Sequence, residues 1–446
     1  MVKLFGTSGI RGSVETLFTE QFCFDIGRSF AVFLQKYGQL GPVTVGMDPR
    51  SSSPNILFSL EQGLNNESVQ IVDQGTVPVP ALNYILLATS YSGSVMVTGS
   101  HISSNLNGMK FFAFREEILK VHEQEITEIY ESLKGKVLYQ KKELLVNKEN
   151  RANEDYQEML VSLGLGKMPK IKKIIVDPGN GAQSDVMPKV LSRLGLEIVE
   201  VNASIQREFV SRDTEVEGVL VDLQSMVIKE RADLGIAYDY DGDRVVFVDE
   251  KGNFIPGDYS GTLIAKHSPS GVIVTPINTS SVVDSIGKKI IRTKVGSPFV
   301  VQAMKENNAD FGFEANGGGI SSEVMMSRDG GSTTIKVLKI MSSTNKTLSQ
   351  LIEEMPKFFL YRKKIDCPNS FNHEILSQAK KNFLGESFDE TDGLKIWINK
   401  KSWLLFRPSS NAPEFRVFAE SDNKQIAEDL GKKGIEFVKS TIKSLQ

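Results

Sequence analysis

VQIVDQGTVPVPALNYILLATSYSGSVMVTGSHISSNLNGMK, residues 69–110, runs from a short β-branched segment through a proline-marked turn and a helical stretch into a second apolar run. The segments at 69–75 and 94–98 have strand length and composition, and the pattern over 80–89 is that of a helix. Toward the N-terminus the alternation continues, with helical patterns at 19–37 and near 54–65 on either side of the β-branched run Val43–Val45. Short apolar strands alternating with amphipathic helices predict a largely parallel or mixed sheet covered on both faces. Ligand-binding loops then belong at the carboxyl ends of the strands. One such end is Gly99-Ser100-His101, with Lys110 ten residues beyond the serine. A serine just past a buried strand is placed to carry a phosphoryl group, although turn residue and helix cap are ordinary roles for the same residue. The G-x-S-x-G elbow of the α/β-hydrolases is absent.

Further along, the polar stretch Tyr139–Asn153 reads as a linker into a second unit. There KKIIVDPGNGAQ (172–183) gives strand, turn and helix start, followed by a helix ending at Leu194-Gly195 and a strand at 196–202. A third set runs from about Asp258 through GVIVTPI (271–277) and a helix around 280–290 to FGFEANGGG. From about 365 the texture changes to strands grouped with two helices, an α+β module. No solenoid period appears, though the first three units share a βαβ rhythm.

At 446 residues the chain exceeds what one hydrophobic core supports, so three or four domains are expected. A net charge of −3 argues against a broad nucleic-acid or membrane surface and directs attention to a local anion site for a small ligand. Cys23 and Cys367 lack any metal or disulfide spacing, which fits a reducing compartment. The N-terminus MVKLFGTSGIRG has no signal-peptide core, and no apolar run approaches membrane-span length; a cytoplasmic protein is expected.

Three further loops carry polar chemistry. Asp239, Asp241 and Asp243 in DYDGDR alternate through a short turn and can converge on a hard cation such as Mg²⁺; a solvated acidic hairpin is the plain alternative. An EF-hand is a poor match, because Arg244 occupies the position of its glycine and both flanks, DLGIAY and VVFVD, read as strands. FEANGGG (313–319) is a polar glycine turn that a flexible connection would also explain. RPSSNAPEFR (407–416) gathers arginine, hydroxyls and an amide around a proline-bounded turn, a set suited to clamping phosphate but also to a solvated strand end.

Taken in this order, the four loops resemble those of the α-D-phosphohexomutases, the phosphoglucomutase and phosphomannomutase family in its archaeal type. The family's serine loop reads Thr-Gly/Ala-Ser-His-Asn-Pro followed by Asn-Gly-x-Lys, and Thr98, Gly99, Ser100, His101, Asn107, Gly108 and Lys110 match it, whereas Ile102 and Ser103 replace Asn-Pro. Loss of that proline and asparagine is expected to loosen the loop or alter the rate. The resemblance implies that Ser100 is the phosphoserine and Lys110 or His101 the acid/base group. It likewise implies that Asp239, Asp241 and Asp243, with a phosphoserine oxygen of Ser100, hold one Mg²⁺, and that Arg244 and Arg11 (in FGTSGIRG, 5–12) reach the phosphate.

For the sugar, it implies recognition of two neighbouring hydroxyls by Glu314 and Asn316, where Phe313 replaces a glycine of the family pattern. RTKVGSPFV (292–300), with Gly296, resembles the loop preceding that site, and TVPVP (76–80) a first-domain turn. Arg407, Ser409, Ser410, Asn411 and Arg416 are implied for the substrate phosphate, with Asn411 at a threonine position and Ala412 replacing a glutamate.

The fold so implied is α/β: three similar domains with mixed sheets (1–150, 151–254, 255–362) and a smaller α+β domain (363–446) around a central cleft. The activity implied is interconversion of hexose 1- and 6-phosphates, of glucose or mannose, through a hexose 1,6-bisphosphate, by a monomer or homodimer without nucleic-acid or membrane partners. A phosphoglucosamine mutase, a phosphopentomutase and a divergent sugar-phosphate binder are the alternatives.

Overall fold

The computed structural model describes residues 4–6, 9–144, 146–166, 171–208, 210, 213–214, 216–409 and 413–446. Among them the strands form four sheets, one of seven strands and three of five. In the first, Val43–Met47 lies parallel to both Ile71–Thr76 and Gly93–Val97. The wholly buried run Gly93–Val97 reads as continuous apolar sequence because helices cover the sheet on both faces. Leu106–Ala113 and Ile10–Ser13 extend the sheet antiparallel. Helix Glu20–Lys36 is capped by Thr19, whose side chain accepts from the Phe22 N–H, and it buries Cys23, Ile26, Phe30 and Phe33 along one stripe. The polar stretch Tyr139–Asn153 does more than link: Asn147–Lys148 pairs parallel with Val72 and Asp73 as an edge of the first sheet, and helix Arg151–Gly164 begins directly afterwards.

In the second sheet Lys173–Asp177 is flanked in parallel by Glu197–Glu200 and Leu234–Tyr238. Leu234–Tyr238 and Val245–Asp249 form an antiparallel hairpin, so residues 239–244 are its loop, as their strand-like flanks predict. The third sheet pairs Val272–Pro276 in parallel with Lys289–Thr293 and Phe311–Phe313, and Phe311–Phe313 turns antiparallel into Gly319–Ser321. The helix expected around 280–290 is instead a short 3-10 helix, Ser281–Ile286, followed by a strand. Gly287 terminates it in the left-handed region, and the β-branched Lys289–Thr293 gains a full parallel ladder. The last sheet is antiparallel and carries helices Asn372–Asn382 and Lys424–Leu445.

One apolar cluster runs through the three α/β units, which also keep separate clusters around Phe30 and Phe111, Ala237 and Val246, and Val274 and Val300. The shared cluster joins Leu82, Leu86 and Phe112 to Tyr156, Ile174 and Phe247 and to Ile264, Phe313 and Leu338. Helix Arg151–Gly164 bridges them: the Ala152 N–H donates to Gln74 Oε1 (3.0 Å), and Tyr156 Oη donates to Asp329 Oδ1 (2.5 Å). The C-terminal sheet has its own core around Phe406, Val417 and Val438 and docks on the third unit through Ile277, Trp403, Leu405 and Phe418. Among the described residues no helix is long and apolar enough to cross a membrane.

Candidate active site

Ser100 sits where strand Gly93–Val97 ends, buried, with its backbone in the left-handed region at φ +50°. A non-glycine residue held there is strained by about 1–2 kcal/mol and persists only where neighbours over-determine it. Those neighbours are Thr98, whose Oγ1 accepts from the Ser100 N–H (2.8 Å), and Arg50, which donates to the Ser100 carbonyl (2.8 Å). The hydroxyl donates to Asp239 Oδ2 (2.9 Å) and lies 3.3 Å from His101 Nδ1. Two residues nearly 140 positions apart in sequence thus meet because one strand end of the first sheet faces the hairpin loop of the second. The first-unit turn at 76–80 seals that contact, the Val79 N–H donating to the Asp241 carbonyl (2.9 Å).

Asp239, Asp241 and Asp243 are buried, and one carboxylate oxygen from each lies within 4.8 Å of the others. Asp241 Oδ2 accepts from Lys110 Nζ (2.6 Å) and Thr98 Oγ1 (3.1 Å), and Asp243 Oδ2 from Lys110 Nζ (2.7 Å) and Arg328 Nη2 (2.7 Å). Among the described residues, Asp241 Oδ1 and Asp243 Oδ1 are buried without a hydrogen-bond partner. Each of these carboxylates is therefore hydrogen-bonded through one oxygen only. Burial, reinforced by Asp241 and Asp243, pushes the Asp239 carboxyl up to about 8. Burial acts the same way on Asp243, but Arg328, Lys110 and Arg244 overcome it and hold Asp243 well below the usual carboxylate range. All-oxygen donors, orphaned acceptor atoms and a carboxyl that resists ionising beside its neighbours are what a site for a hard divalent cation looks like before charge is supplied.

Cations surround the triplet, with Arg244 Nε 3.7 Å from both Asp239 Oδ2 and Asp243 Oδ1. Arg244 Nη1 lies 3.1 Å from His101 Nδ1, and its backbone N–H donates to Asp239 Oδ1 (3.1 Å). Because a guanidinium only donates, Nδ1 of His101 carries a lone pair, between Arg244 and the Ser100 hydroxyl. Desolvation, then Arg244 and Arg11, keep the imidazole pKa well below its ordinary value. Lys110 behaves oppositely: burial disfavours its charge, but Asp241 and Asp243 outweigh that and raise its pKa. Arg11, on strand Ile10–Ser13, is lowered to about 10 by burial and by Arg244 and Arg328.

Glu314 and Asn316 occupy the hairpin loop between Phe311–Phe313 and Gly319–Ser321, both buried. Glu314 Oε2 accepts from Arg328 Nη1 (3.0 Å), which ties the loop to Asp243 through one guanidinium. Asn316 Oδ1 accepts from the Gly318 N–H (3.0 Å), and its carbonyl from Thr214 Oγ1 (2.7 Å). Gly317, at φ +87°, lets the loop press on the metal hairpin, where the Val245 N–H donates to its carbonyl (3.2 Å).

The remaining predicted residues lie elsewhere. Gly296 begins helix Ser297–Glu306. Arg407 lies on the C-terminal sheet, its Nε donating to Asp392 Oδ2 (2.6 Å), which also accepts the Val295 N–H (2.9 Å). This pair joins the C-terminal sheet to the loop before Gly296. Arg416 stands opposite Arg407 in register and pairs with Glu414 (2.8 Å); Ser409 is buried, its N–H donating to the Glu414 carbonyl. Ser410 and Asn411 lie outside the described residues.

Residues 2–136, 154–252 and 256–359 match domains I, II and III of phosphoglucomutase/phosphomannomutase, each described as alpha/beta/alpha. The chain belongs to this family. A Thermococcus kodakarensis relative named phosphoglucomutase/phosphomannomutase is 33% identical across 99% of this chain and 100% of its own length. A Sulfurisphaera tokodaii relative named phosphoglucosamine/phosphogalactosamine mutase is 30% identical across 96% and 98%. In fold, the crystal structure of a phosphoglucomutase/phosphomannomutase family protein from Burkholderia thailandensis superposes with a TM-score of 0.83 over 98% of this chain and 97% of the other, at 22% identity. The protein is accordingly a phosphohexomutase, an isomerase that works as an intramolecular phosphotransferase.

Two buried residues of this phosphohexomutase escaped the reading of the motifs. Arg50 closes the serine loop: its guanidinium donates to the carbonyls of Ser100, Ile102 (2.7 Å), Ser103 (2.8 Å) and Leu106 (3.1 Å), while Asp48 holds its Nε (3.1 Å). It fixes the segment in which Ile102-Ser103 departs from the family's Asn-Pro, so tertiary hydrogen bonds restrain a loop that lacks the local proline. Arg328 is the second. Arg50, in MDPRSSSP, follows strand Val43–Met47, and Arg328, in MSRDGG, is the last residue of strand Met325–Arg328; the available signal is the rule placing ligand loops at strand ends.

Proposed function

We propose that this phosphohexomutase interconverts hexose 1-phosphate and hexose 6-phosphate, with glucose or mannose as the sugar, through a phosphorylated Ser100. What carries the reading is the Ser100 hydroxyl, strained and buried at a strand end, 2.9 Å from an aspartate of a convergent acidic triplet. Phosphorylated Ser100 gives its PO₃ unit to the free hydroxyl of the bound monophosphate: the phosphorus–Oγ bond breaks as a bond to the sugar oxygen forms. The hydroxyl's proton passes by way of His101 Nδ1, 3.3 Å from Ser100 Oγ, to the departing serine oxygen. The product is a hexose 1,6-bisphosphate and a free Ser100 hydroxyl. After the bisphosphate turns end for end, Ser100 Oγ attacks its other phosphorus, and the serine proton passes by the same imidazole to the departing sugar oxygen, releasing the isomeric monophosphate.

Each side chain has a part in this cycle. Lys110, kept charged by two aspartates, together with Arg11 and Arg244, offsets charge on the transferring group. Asp239, Asp241 and Asp243 would hold Mg²⁺, which when bound supplies further charge neutralisation at the phosphoryl oxygens. Glu314 and Asn316 recognise hydroxyls common to both orientations, and Arg407, Ser409, Ser410, Asn411 and Arg416 take the phosphate not undergoing transfer.

A second reading, turnover of an aminosugar phosphate, is favoured by the name of the 30%-identical Sulfurisphaera relative. Assays on glucose, mannose, glucosamine and ribose phosphates decide between them, the proposal requiring the highest kcat/KM on glucose or mannose. Intact mass after incubation with hexose 1,6-bisphosphate is expected to show one added phosphate, lost together with activity in Ser100→Ala. Full mutase activity in that variant would refute the assignment.

A further inference from the structure

The geometry points to Arg328 as a positioning residue that aims two carboxylates of different function at their ligands; for Glu314 this rests on the role proposed above. Arg328 ends strand Met325–Arg328 and is buried. One arm of its planar fork, Nη1, donates to Glu314 Oε2 (3.0 Å), and the other, Nη2, to Asp243 Oδ2 (2.7 Å). The fork fixes the angle between these bonds, so neither carboxylate can rotate without breaking one of them.

The second oxygen of each acid accepts no hydrogen bond among the described residues. Asp243 Oδ1 is buried without a hydrogen bond, 3.7 Å from Arg244 Nε, and no hydrogen bond engages Glu314 Oε1 among the described residues. Arg328 thus occupies one oxygen of a cation ligand and one of a hydroxyl acceptor, leaving the other of each for a ligand.

The supports of Arg328 are rigid. Gly318 leaves room for its stem, since a Cβ there would fall 2.5 Å from Arg328 Cδ. The Asp329 N–H donates to the Gly319 carbonyl (2.9 Å), and the Asp329 side chain caps the helix Gly330–Thr344 by accepting from the Ser332 N–H (2.9 Å). The same carboxylate is held by Tyr156. Lysine at 328 would keep the charge, but a single ammonium lacks the fork.

The test uses full-length Arg328→Lys in equilibrium binding: Mn²⁺ by electron paramagnetic resonance, and hexose 6-phosphate by calorimetry on dephosphorylated protein. The expectation is at least a fivefold loss in each affinity, with the melting temperature within a few degrees of the parent. Combined with Glu314→Gln, the lysine variant should weaken sugar binding less than twofold further, because the two residues act as one unit. Should the lysine variant not fold, Arg328→Gln in the sugar measurement takes its place with the same expectation. Affinities within twofold of the parent, or losses that add independently in the double variant, would overturn the inference. A parent enzyme inactive on every hexose phosphate would instead remove the functional reading, and the Mn²⁺ measurement would still decide whether Arg328 aims Asp243.

Discussion

Replacing Arg50 by methionine keeps much of the stem's length and removes the guanidinium hydrogen bonds that hold the carbonyls of the serine loop. Four carbonyls lose their donor. Those of Ile102, Ser103 and Leu106 lie in the partly exposed part of the loop and regain water, so they count for little. The Ser100 carbonyl is buried, and a hydrogen bond to a charged group there contributes about 1.5–3 kcal/mol. Releasing the left-handed backbone of Ser100 allows a further relaxation of about 1 kcal/mol away from the competent geometry. Together roughly 3 kcal/mol separates the held from the relaxed loop, about a hundredfold in rate at 1.36 kcal/mol per decade. The loss should fall on kcat, because Glu314, Asn316 and Arg407 do not touch this loop. Steady-state kinetics on the preferred sugar 1-phosphate, with the rate of Ser100 phosphorylation followed by intact mass, would measure it. A kcat within threefold of the parent, or a loss confined to KM, would refute the reasoning.

Two other perturbations test separate parts of the molecule. Glu61 is buried with Oε1 unpartnered among the described residues; burial, then Asp73, raises its carboxyl to about 8. The folded state therefore holds a proton between pH 4.5 and 8 that the unfolded chain releases, and stability drains away as pH rises through that window. Glu61→Gln should raise the melting temperature at pH 8.5 and leave it nearly unchanged at pH 4.5, a difference on the order of 2–4 kcal/mol; equal shifts at both pH values would contradict this. In Gly317→Ala the new Cβ would fall 2.1 Å from the Val245 carbonyl and sit in the left-handed region, so the loop carrying Glu314 must lift from the metal hairpin. A displacement of about 1 Å predicts a fall in kcat/KM near a hundredfold, and a change below threefold would show that the loop tolerates the shift.

Much of the local structure was legible because its causes are local. Residues 239–244 form a hairpin loop because the apolar runs on either side alternate and pair, and that already excluded an EF-hand. The serine at 100 stands at a strand end because Gly93–Val97 is a continuous buried run followed by a turn. Where local signals compete, sequence pattern and structure part. Residues 280–290 have a helix-like start, but Gly287 and the pairing available to Lys289–Thr293 divide them into a 3-10 helix and a strand. The stretch 139–153 looked like a plain linker because an edge pairing as short as Asn147–Lys148 leaves no periodicity.

By itself the sequence determined the alternation of strands with helices, the α/β class and the chemical character of four loops, since propensity, turn chemistry and apolar alternation act over a few residues. Tertiary structure alone decided that Ser100 meets Asp239, that Lys110 bridges Asp241 and Asp243, and that Arg328 spans two units. It also decided that the three α/β units share one apolar cluster, and that Arg407 is held by Asp392. These are contacts between residues distant along the chain, fixed by how helix-covered sheets pack and by which buried charge must find a partner. No short window of sequence contains both members of such a pair.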